Sequence, residues 1–288
     1  MKQNIHKTNN ITKRQQTILT ILFTFRFINS KQIQQLLNHK DHRRINSWLK
    51  DLVEKEYIER DFQPVFGTLT KPAIYFLSVK GRDFIRKTYF VDDIYLARLR
   101  EDRKRSKSFR IRCQIVADCF LILIPDQVAD YIRVFEKWLS HGVTFIKSKQ
   151  FQLVTPAYFE ELDFELLTTL KPDIYGYLKQ PSGITNALFY VLDAYIPRMM
   201  LRNIIRKIFT TLDEENWENE NIRSLQFYFV CPNNVIIIYL KRLLPTLLEG
   251  YYGKAELSFH FATRNQIYKR RDNKTTITGW ISISSKDD

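Results

Sequence analysis

The sequence predicts a mixed α/β protein in two parts, and three observations support this prediction. Residues 1–92 contain three helical patterns followed by two short strand patterns. From about residue 170 onward strand and helix patterns alternate, which is typical of a mixed α/β sheet. Residues 1–112 hold 25 Lys and Arg against 11 Asp and Glu, whereas residues 113–288 hold 20 of each. All of the net charge of +14 therefore lies in the first part, which favours a polyanionic partner such as nucleic acid.

The first part begins with two helical patterns. Apolar residues recur at helical spacing over residues 12–27. Thr12 is expected to cap this helix, and Gln15 stands where it completes a capping box. A second, short helix is predicted over residues 31–37, after the capping pair Asn29–Ser30.

A third helix is predicted over residues 41–54, with one apolar stripe and one polar, basic face. The face is formed by Arg43, Arg44, Asn46, Ser47 and Lys50. Arg pairs with guanine and Asn with adenine in the major groove of DNA, so the first four side chains are predicted to read bases. Lys50 is predicted to contact phosphates, which position a protein without specifying sequence.

Two strands are predicted over residues 57–62 and 73–79, joined by a turn region at residues 64–67. Three helices followed by a hairpin follow the order of a winged helix-turn-helix. Lys71, on the wing of that arrangement, is predicted to contact phosphate. The sequence therefore predicts a winged-helix DNA-binding domain over residues 1–92.

The end of this domain has a recognisable junction. Ser78, Lys80 and Gly81 follow the second strand, and a helix is predicted from Arg82. This order resembles the strand-to-helix junction common at the end of winged-helix domains. The resemblance favours the same assignment as the element order.

Residues 93–112 are predicted to form a basic helical linker. Eight Lys and Arg fall within residues 98–112, and neither Gly nor Pro interrupts them. The linker either lies along the DNA backbone or forms a solvated helix between two domains, and the sequence leaves both open. The predicted DNA contacts in it are Arg103, Lys104, Arg105 and Lys107.

Residues 113–288 are predicted to form an α/β domain. Helices are predicted over residues 108–123, 127–140, 197–212 and 235–248. Strands are predicted over residues 143–146, 151–154, 170–178, 187–195, 225–233 and 256–263.

Two of these strands carry acidic residues in a suggestive arrangement. Pro172-Asp173 lies in one strand, Asp193 in the next, and a helix with Lys207 follows. This order resembles the PD-(D/E)XK nuclease fold, so it implies a restriction-endonuclease-like domain. With the N-terminal winged helix, residues 12–265 resemble the replication-relaxation family of plasmids and other mobile elements.

The resemblance also implies a chemistry, which this sequence carries incompletely. In an active enzyme, Asp173 and Asp193 would bind Mg²⁺ and Lys207 would help to activate water. Val191 stands where a Glu is expected before Asp193, and Tyr195 stands where a Lys is expected after it. We therefore expect a scaffold that has lost nuclease activity and needs no cofactor.

The expected function is sequence-specific binding of double-stranded DNA in replication, transfer or transcriptional control of a plasmid or mobile element. The expected protein is a homodimer, with other replication or transfer proteins as further partners. Two alternatives stay open, a Mg²⁺-dependent DNA endonuclease and a protein–protein adaptor.

Composition limits the other classes of protein. The three cysteines lack the spacing of a zinc site or a disulfide framework, so we expect buried, reduced thiols. The N-terminus is polar and the longest apolar runs, 119–125 and 235–240, are too short to cross a bilayer. We therefore expect a cytoplasmic protein without membrane contact.

Overall fold

The structure, a computed structural model, describes residues 11–62, 72–91, 93–123, 151–157, 165–180, 183–213, 222–251, 256–271 and 280–284. The chain divides into two compact units, of which the first comprises residues 1–106 with 124–142 and the second residues 107–123 with 143–288. The described residues form helices and two β-sheets, one of three strands and one of six. This confirms the predicted mixed α/β class.

The first unit begins with three helices at the predicted places. They are α1 (Lys13–Phe25), α2 (Ser30–Leu36) and α3 (His42–Glu54). Thr12 caps α1 and forms the predicted capping box with Gln15, whose side-chain oxygen accepts from the Thr12 backbone N–H at 2.9 Å. Local capping thus determines where α1 begins.

A small antiparallel sheet follows the helices. Its strands are β1 (Ile28–Asn29), β2 (Ile58–Asp61) and β3 (Ile74–Leu77), in the order β1-β3-β2. The prediction of β2 and β3 is confirmed, although both are shorter than predicted. The ring centroids of Phe27 and Phe76 lie 5.1 Å apart and join the start of β1 to β3.

Helix α4 (Val79–Tyr89) begins three residues earlier than the predicted start at Arg82. The reason is that Ser78 is its N-cap, with the hydroxyl accepting from the Gly81 N–H at 3.0 Å. Gly81 is required here because a Cβ at this position would lie 2.1 Å from the carbonyl oxygen of Tyr57.

The segment after α4 is not the continuous helix predicted for residues 93–112. It consists of α5 (Asp93–Ala97), a single 3₁₀ turn at Asp102–Lys104 and then α6 (Lys107–Leu123). The 3₁₀ turn ends at Arg105, whose backbone is extended, so the helical run is interrupted before α6 begins.

Buried polar contacts hold this segment against α1. Asp102 is 1% exposed and forms an ion pair with Arg26, which also donates to the carbonyl of Arg98 at 2.6 Å. Arg98 in turn donates to the carbonyl of Phe23 at 2.5 Å. Arg26 and Arg98, which add to the positive charge of this unit, therefore stabilise its fold.

The second unit is built on a six-stranded sheet. Its strands, in spatial and chain order, are β4 (Phe151–Val154), β5 (Ile174–Gln180), β6 (Gly183–Val191), β7 (Ile222–Cys231), β8 (Glu256–Thr263) and β9 (Ile281–Ser284). Strands β6, β7 and β8 are parallel, and the other neighbours are antiparallel. The predicted bounds of β4 and β8 are confirmed to the residue.

The predicted bounds of β5 and β6 were wrong by several residues. Asp173 precedes β5 instead of lying inside a strand over 170–178, and Asp193 follows β6 instead of lying inside a strand over 187–195. The strand ends are determined by the pairing of β5 with β6, which runs from Ile174↔Phe189 to Gln180↔Gly183.

Four further helices are described in the second unit. They are α7 (Glu165–Leu170), α8 (Arg198–Asp213), α9 (Asn234–Leu248) and α10 (Arg264–Arg271). The predictions of α8 and α9 are confirmed, whereas those for residues 127–140 and 143–146 lie outside the described residues. Within the described part of the chain, no helix combines the length and the apolar composition that a bilayer crossing requires.

The core of the second unit is aromatic. Phenylalanines of β7 and β8 are fully buried and stack on one another across the two strands: Phe227, Phe229, Phe259 and Phe261. The three cysteines are buried and stand outside any disulfide, as predicted: Cys113, Cys119 and Cys231. Burial raises the pKa of the Cys231 thiol to about 12, so this thiol is protonated at neutral pH.

Candidate functional site

The basic face predicted on the third helix is exposed in the structure. Asp41 caps α3 through a carboxylate oxygen that accepts from the backbone N–H of Arg43 at 2.8 Å. Ile45 and Leu49 turn into the core and are fully buried. All five predicted side chains are exposed: Arg43, Arg44, Asn46, Ser47 and Lys50.

The five side chains do not share one face equally. Arg43, Asn46, Ser47 and Lys50 stand at positions i, i+3, i+4 and i+7, which places them on one surface of a helix. Arg44 lies outside this set, with its guanidinium 5.7 Å from the ring centroid of Trp48. The structure therefore assembles a four-residue polar face with Arg44 at its flank.

His42 supports this face and was not singled out from the sequence. It is the first residue of α3, and its Nε2 lies 3.4 Å from the hydroxyl of Ser30 on α2. Its Nδ1 lies 3.3 Å from the amide nitrogen of Asn46. The i, i+4 spacing of His42 and Asn46 was the available signal, since such residues are neighbours on a helix.

An open groove of about 550 Å³ runs beside α3, between that helix and the β2–β3 strands. Leu49 and Ala73 are among the apolar residues that line it, and basic residues line it too: Lys31, Lys50 and Arg60. Lys31 and Arg60 thus join the candidate basic residues around α3, although the sequence pattern did not indicate them.

The predicted contacts in the linker are partly engaged within the first unit. Arg103 makes an ion pair with Glu59 on β2, and its Nε lies 2.8 Å from both carboxylate oxygens. Lys104 lies 3.2 Å from the carboxylate of Glu101. These two basic residues are exposed, but each faces an acidic partner.

The remaining predicted contacts are divided between the two units and the part of the chain that is not described. Arg105 is exposed in the first unit, and Lys107 is exposed at the start of α6 in the second unit. Lys71 lies outside the described residues.

The two acidic residues of the predicted nuclease site meet one end of α6. Arg112 donates from Nε at 3.1 Å and from Nη2 at 2.8 Å to Oδ1 of Asp173. Ser108, one turn earlier on α6, donates from its hydroxyl to Oδ1 of Asp193 at 3.3 Å. Residues four apart lie on one face of a helix, so α6 holds both carboxylates.

Asp173, just before β5, also forms hydrogen bonds with the backbone of β6. Its second oxygen, Oδ2, accepts from the Val191 N–H at 2.7 Å, and its own N–H donates to the Phe189 carbonyl at 2.7 Å. Burial raises the pKa of Asp173, while Arg112 and the Val191 N–H oppose that rise. Burial acts to lower the pKa of Arg112, but the carboxylates of Asp173 and Asp193 outweigh it and raise that pKa.

The residues present do not fit a Mg²⁺ site. Both oxygens of Asp173 accept hydrogen bonds, and the guanidinium of Arg112 supplies the positive charge against this carboxylate. Within the described ranges, no three His, Cys, Asp or Glu residues are grouped as a metal ion would require. Magnesium prefers several oxygen ligands with near-octahedral geometry, and this cluster offers a cation instead.

Lys207 is not part of this cluster. It is exposed on α8, and within the described residues it contacts neither Asp173 nor Asp193. Tyr195, in the place of the expected Lys, is 93% exposed. The group that actually faces the two carboxylates, Arg112, was missed because nothing in the local sequence connects it to them.

The chain was compared with known families, proteins and structures. The family model described as replication-relaxation matches residues 19–193. This range covers more than half of the chain, and it includes both the polar face of α3 and the cluster of Asp173 and Asp193. The comparisons with curated proteins and with solved structures found no match.

Proposed function

Since the chain belongs to the replication-relaxation family, we propose that it binds double-stranded DNA sequence-specifically in the replication, transfer or transcriptional control of a plasmid or other mobile element. In this proposal the first unit is a winged helix, α3 is its recognition helix and β2–β3 form the wing. One observation carries the proposal, the exposed face of α3 formed by Arg43, Asn46, Ser47 and Lys50.

The chemistry of this face suits a DNA major groove. A helix fits into that groove, and Arg and Asn present the donors and acceptors that distinguish guanine and adenine. The contact between His42 and Asn46 limits the freedom of the amide, so a base contact by Asn46 would cost less conformational entropy. Lys50, one turn beyond, supplies a charge for the phosphate backbone, and its Nζ lies 3.8 Å from Oε1 of Glu54, a contact that DNA would have to displace.

The charge of the surroundings favours the same partner. The net charge of +14 over residues 1–112 attracts a polyanion, and each phosphate contact releases condensed counterions. Lys31 and Arg60 line the groove beside α3, so basic side chains extend beyond the recognition helix itself. We therefore expect binding that weakens steeply as salt is raised.

For the second unit we propose a restriction-endonuclease-like scaffold that organises the assembly and does not cut DNA. The ion pair between Arg112 and Asp173 supports this, because it places a protein cation at the carboxylate that a nuclease would offer to Mg²⁺. We further propose that the protein acts as a homodimer, which sedimentation analysis of the full chain tests directly.

The experiment is DNA binding by the full chain, measured by fluorescence anisotropy on fragments of its own genetic element at two salt concentrations. Arg43→Ala and Asn46→Ala are expected to weaken binding to the preferred fragment by about 1–3 kcal/mol, and to a scrambled duplex much less. Arg44→Ala is expected to have a smaller effect because Arg44 lies at the flank of the face.

The control variant is Lys87→Ala, which removes one exposed charge from α4 and leaves α3 unchanged. Equal losses on preferred and scrambled duplexes would contradict base reading by Arg43 and Asn46. The same titration is repeated with Mg²⁺, and metal-dependent cleavage that is lost in Asp173→Ala would contradict the scaffold proposal.

A further inference from the structure

Helix α8 of the second unit carries a ridge of arginines on its surface. Arg198, Arg202 and Arg206 follow one another at intervals of four residues, which places their Cα atoms about 6 Å apart along one side of the helix. All three are exposed, as is Lys207 beside them. The helix therefore displays four positive charges within three turns.

Among the described residues, these four charges have no acidic partner. In the part of the chain that the structure describes, none of these four side chains forms an ion pair, and the guanidinium of Arg198 lies 5.6 Å from the Tyr239 ring centroid. The first acidic residue along α8 is Asp213, at its last position. Residues 113–288 carry no net charge as a whole, so the ridge is a local concentration of positive charge in a neutral region.

The opposite side of α8 is already occupied. Its apolar residues are buried against the sheet: Leu201, Ile205, Ile208, Phe209 and Leu212. Phe209 stacks on Phe259 of β8, with ring centroids 5.8 Å apart and an interplanar angle of 13°. A membrane-surface helix inserts its apolar face among lipids, so α8 lacks the face that such binding uses.

We propose that the arginine ridge of α8 is a second DNA-binding surface, which contacts the phosphate backbone of duplex DNA without reading bases. Guanidinium groups bind phosphate oxygens through two parallel N–H donors, and three of them in a row match a repeating anion. The inference rests on the proposed function, because it takes duplex DNA as the partner.

The test variant is Arg202→Gln with Arg206→Gln in the full chain. Glutamine keeps most of the aliphatic stem, and Arg198 is left in place because it packs on Tyr239. The matched control is Lys87→Gln with Lys241→Gln, which removes the same charge from exposed lysines on α4 and α9. Thermal unfolding of both variants verifies that they fold like the wild type.

Affinity for a preferred and a scrambled duplex is measured at several salt concentrations. The α8 variant should bind both duplexes more weakly by the same factor, about eightfold at 0.1 M salt for each lost phosphate contact. The slope of log affinity against log salt should become shallower by about 0.9 per lost contact. The control variant should retain the wild-type slope.

Each other result has a definite meaning. An α8 variant that binds like wild type, or a control variant with the same loss, overturns the ridge as a DNA-binding surface. If Arg43→Ala weakens binding to the preferred and the scrambled duplex equally, while the α8 variant still weakens binding, sequence-specific reading by α3 fails and the ridge stands. Absence of duplex binding overturns both proposals. A last possible result is that the α8 variant alone loses binding to phosphatidylserine vesicles while its DNA affinity is unchanged. This result would assign the ridge to membranes and overturn the proposal that it binds DNA.

Discussion

Arg112 donates two hydrogen bonds to one carboxylate oxygen of Asp173, a residue 61 positions further along the chain. The Asp173 side chain is 13% exposed and that of Arg112 33% exposed, so the pair is largely withdrawn from water. The pair joins α6 to the start of β5 at the place where the resemblance to nucleases implied a metal. Positive charge at this end of the sheet comes from the protein itself.

Removing Arg112 should destabilise the second unit strongly. Arg112→Ala leaves the buried carboxylate of Asp173 without its cation, and we expect the free energy of unfolding to fall by about 2–4 kcal/mol after allowance for partial exposure. Urea denaturation of the full chain measures the effect. The double variant Arg112→Met with Asp173→Asn should recover part of the loss, because it leaves no unpaired charge. A double variant less stable than Arg112→Ala would contradict this account.

Gly81 should not tolerate even an alanine. The added Cβ would lie 2.1 Å from the carbonyl oxygen of Tyr57, so the backbone must shift, and we expect a loss of about 2–3 kcal/mol. Gly250→Ala is the control, since its Cβ would lie 3.7 Å from the nearest atom, the carbonyl oxygen of Leu247. Equal melting temperatures for the two variants would show that the close approach at Gly81 is relieved without cost.

His260 should make stability depend on pH. Burial lowers its pKa, and its Nδ1 lies 2.8 Å from the Ser282 hydroxyl. Below about pH 6.5 the unfolded chain binds a proton at this residue more readily than the folded chain, so the free energy of unfolding falls as pH falls. His260→Gln should reduce this fall between pH 7.5 and 5.5 in denaturant titrations. An unchanged pH dependence in the variant would assign the effect to other groups.

Arg103 should contribute less to DNA binding than Arg43. Glu59 compensates the charge of Arg103, whereas the Arg43 side chain is exposed on α3. The slope of log affinity against log salt becomes shallower by about 0.9 for each lost phosphate contact. We expect Arg103→Gln to change this slope by less than that. Glu59→Gln should make the slope steeper, because Arg103 then loses its ion pair and can contact phosphate. A full change of slope in Arg103→Gln would show that DNA displaces Glu59.

The elements that the sequence predicts well are those with local signals. Helix α1 begins at the predicted cap, because Thr12 and Gln15 form their capping box within four residues of chain. Helix α9 is predicted over residues 235–248 in spite of its β-branched start, and the structure shows that Asn233 caps it. The face of α3 follows from the same 3.6-residue period.

The parts that were missed depend on distant residues. Strand β1 has two residues and exists because it pairs with β3, so no pattern within it is long enough to detect. The interruption of the linker at Asp102 depends on Arg26, which lies 76 residues earlier. In the same way, the resemblance to nucleases placed Asp173 and Asp193 in one site, but only the fold shows that Arg112 of α6 contacts Asp173.

The contact of Arg26 with Asp102 also determines where the first unit can be cut for expression as a fragment. A fragment that stops at residue 92 keeps Arg26, whose backbone is held at φ 66°, and discards the carboxylate that it binds. It also discards Arg98, which donates a hydrogen bond to the Phe23 carbonyl near the end of α1. A fragment that extends through Ser106 retains both Asp102 and Arg98. We therefore expect the fragment that stops at residue 92 to aggregate on purification and the longer fragment to stay in solution.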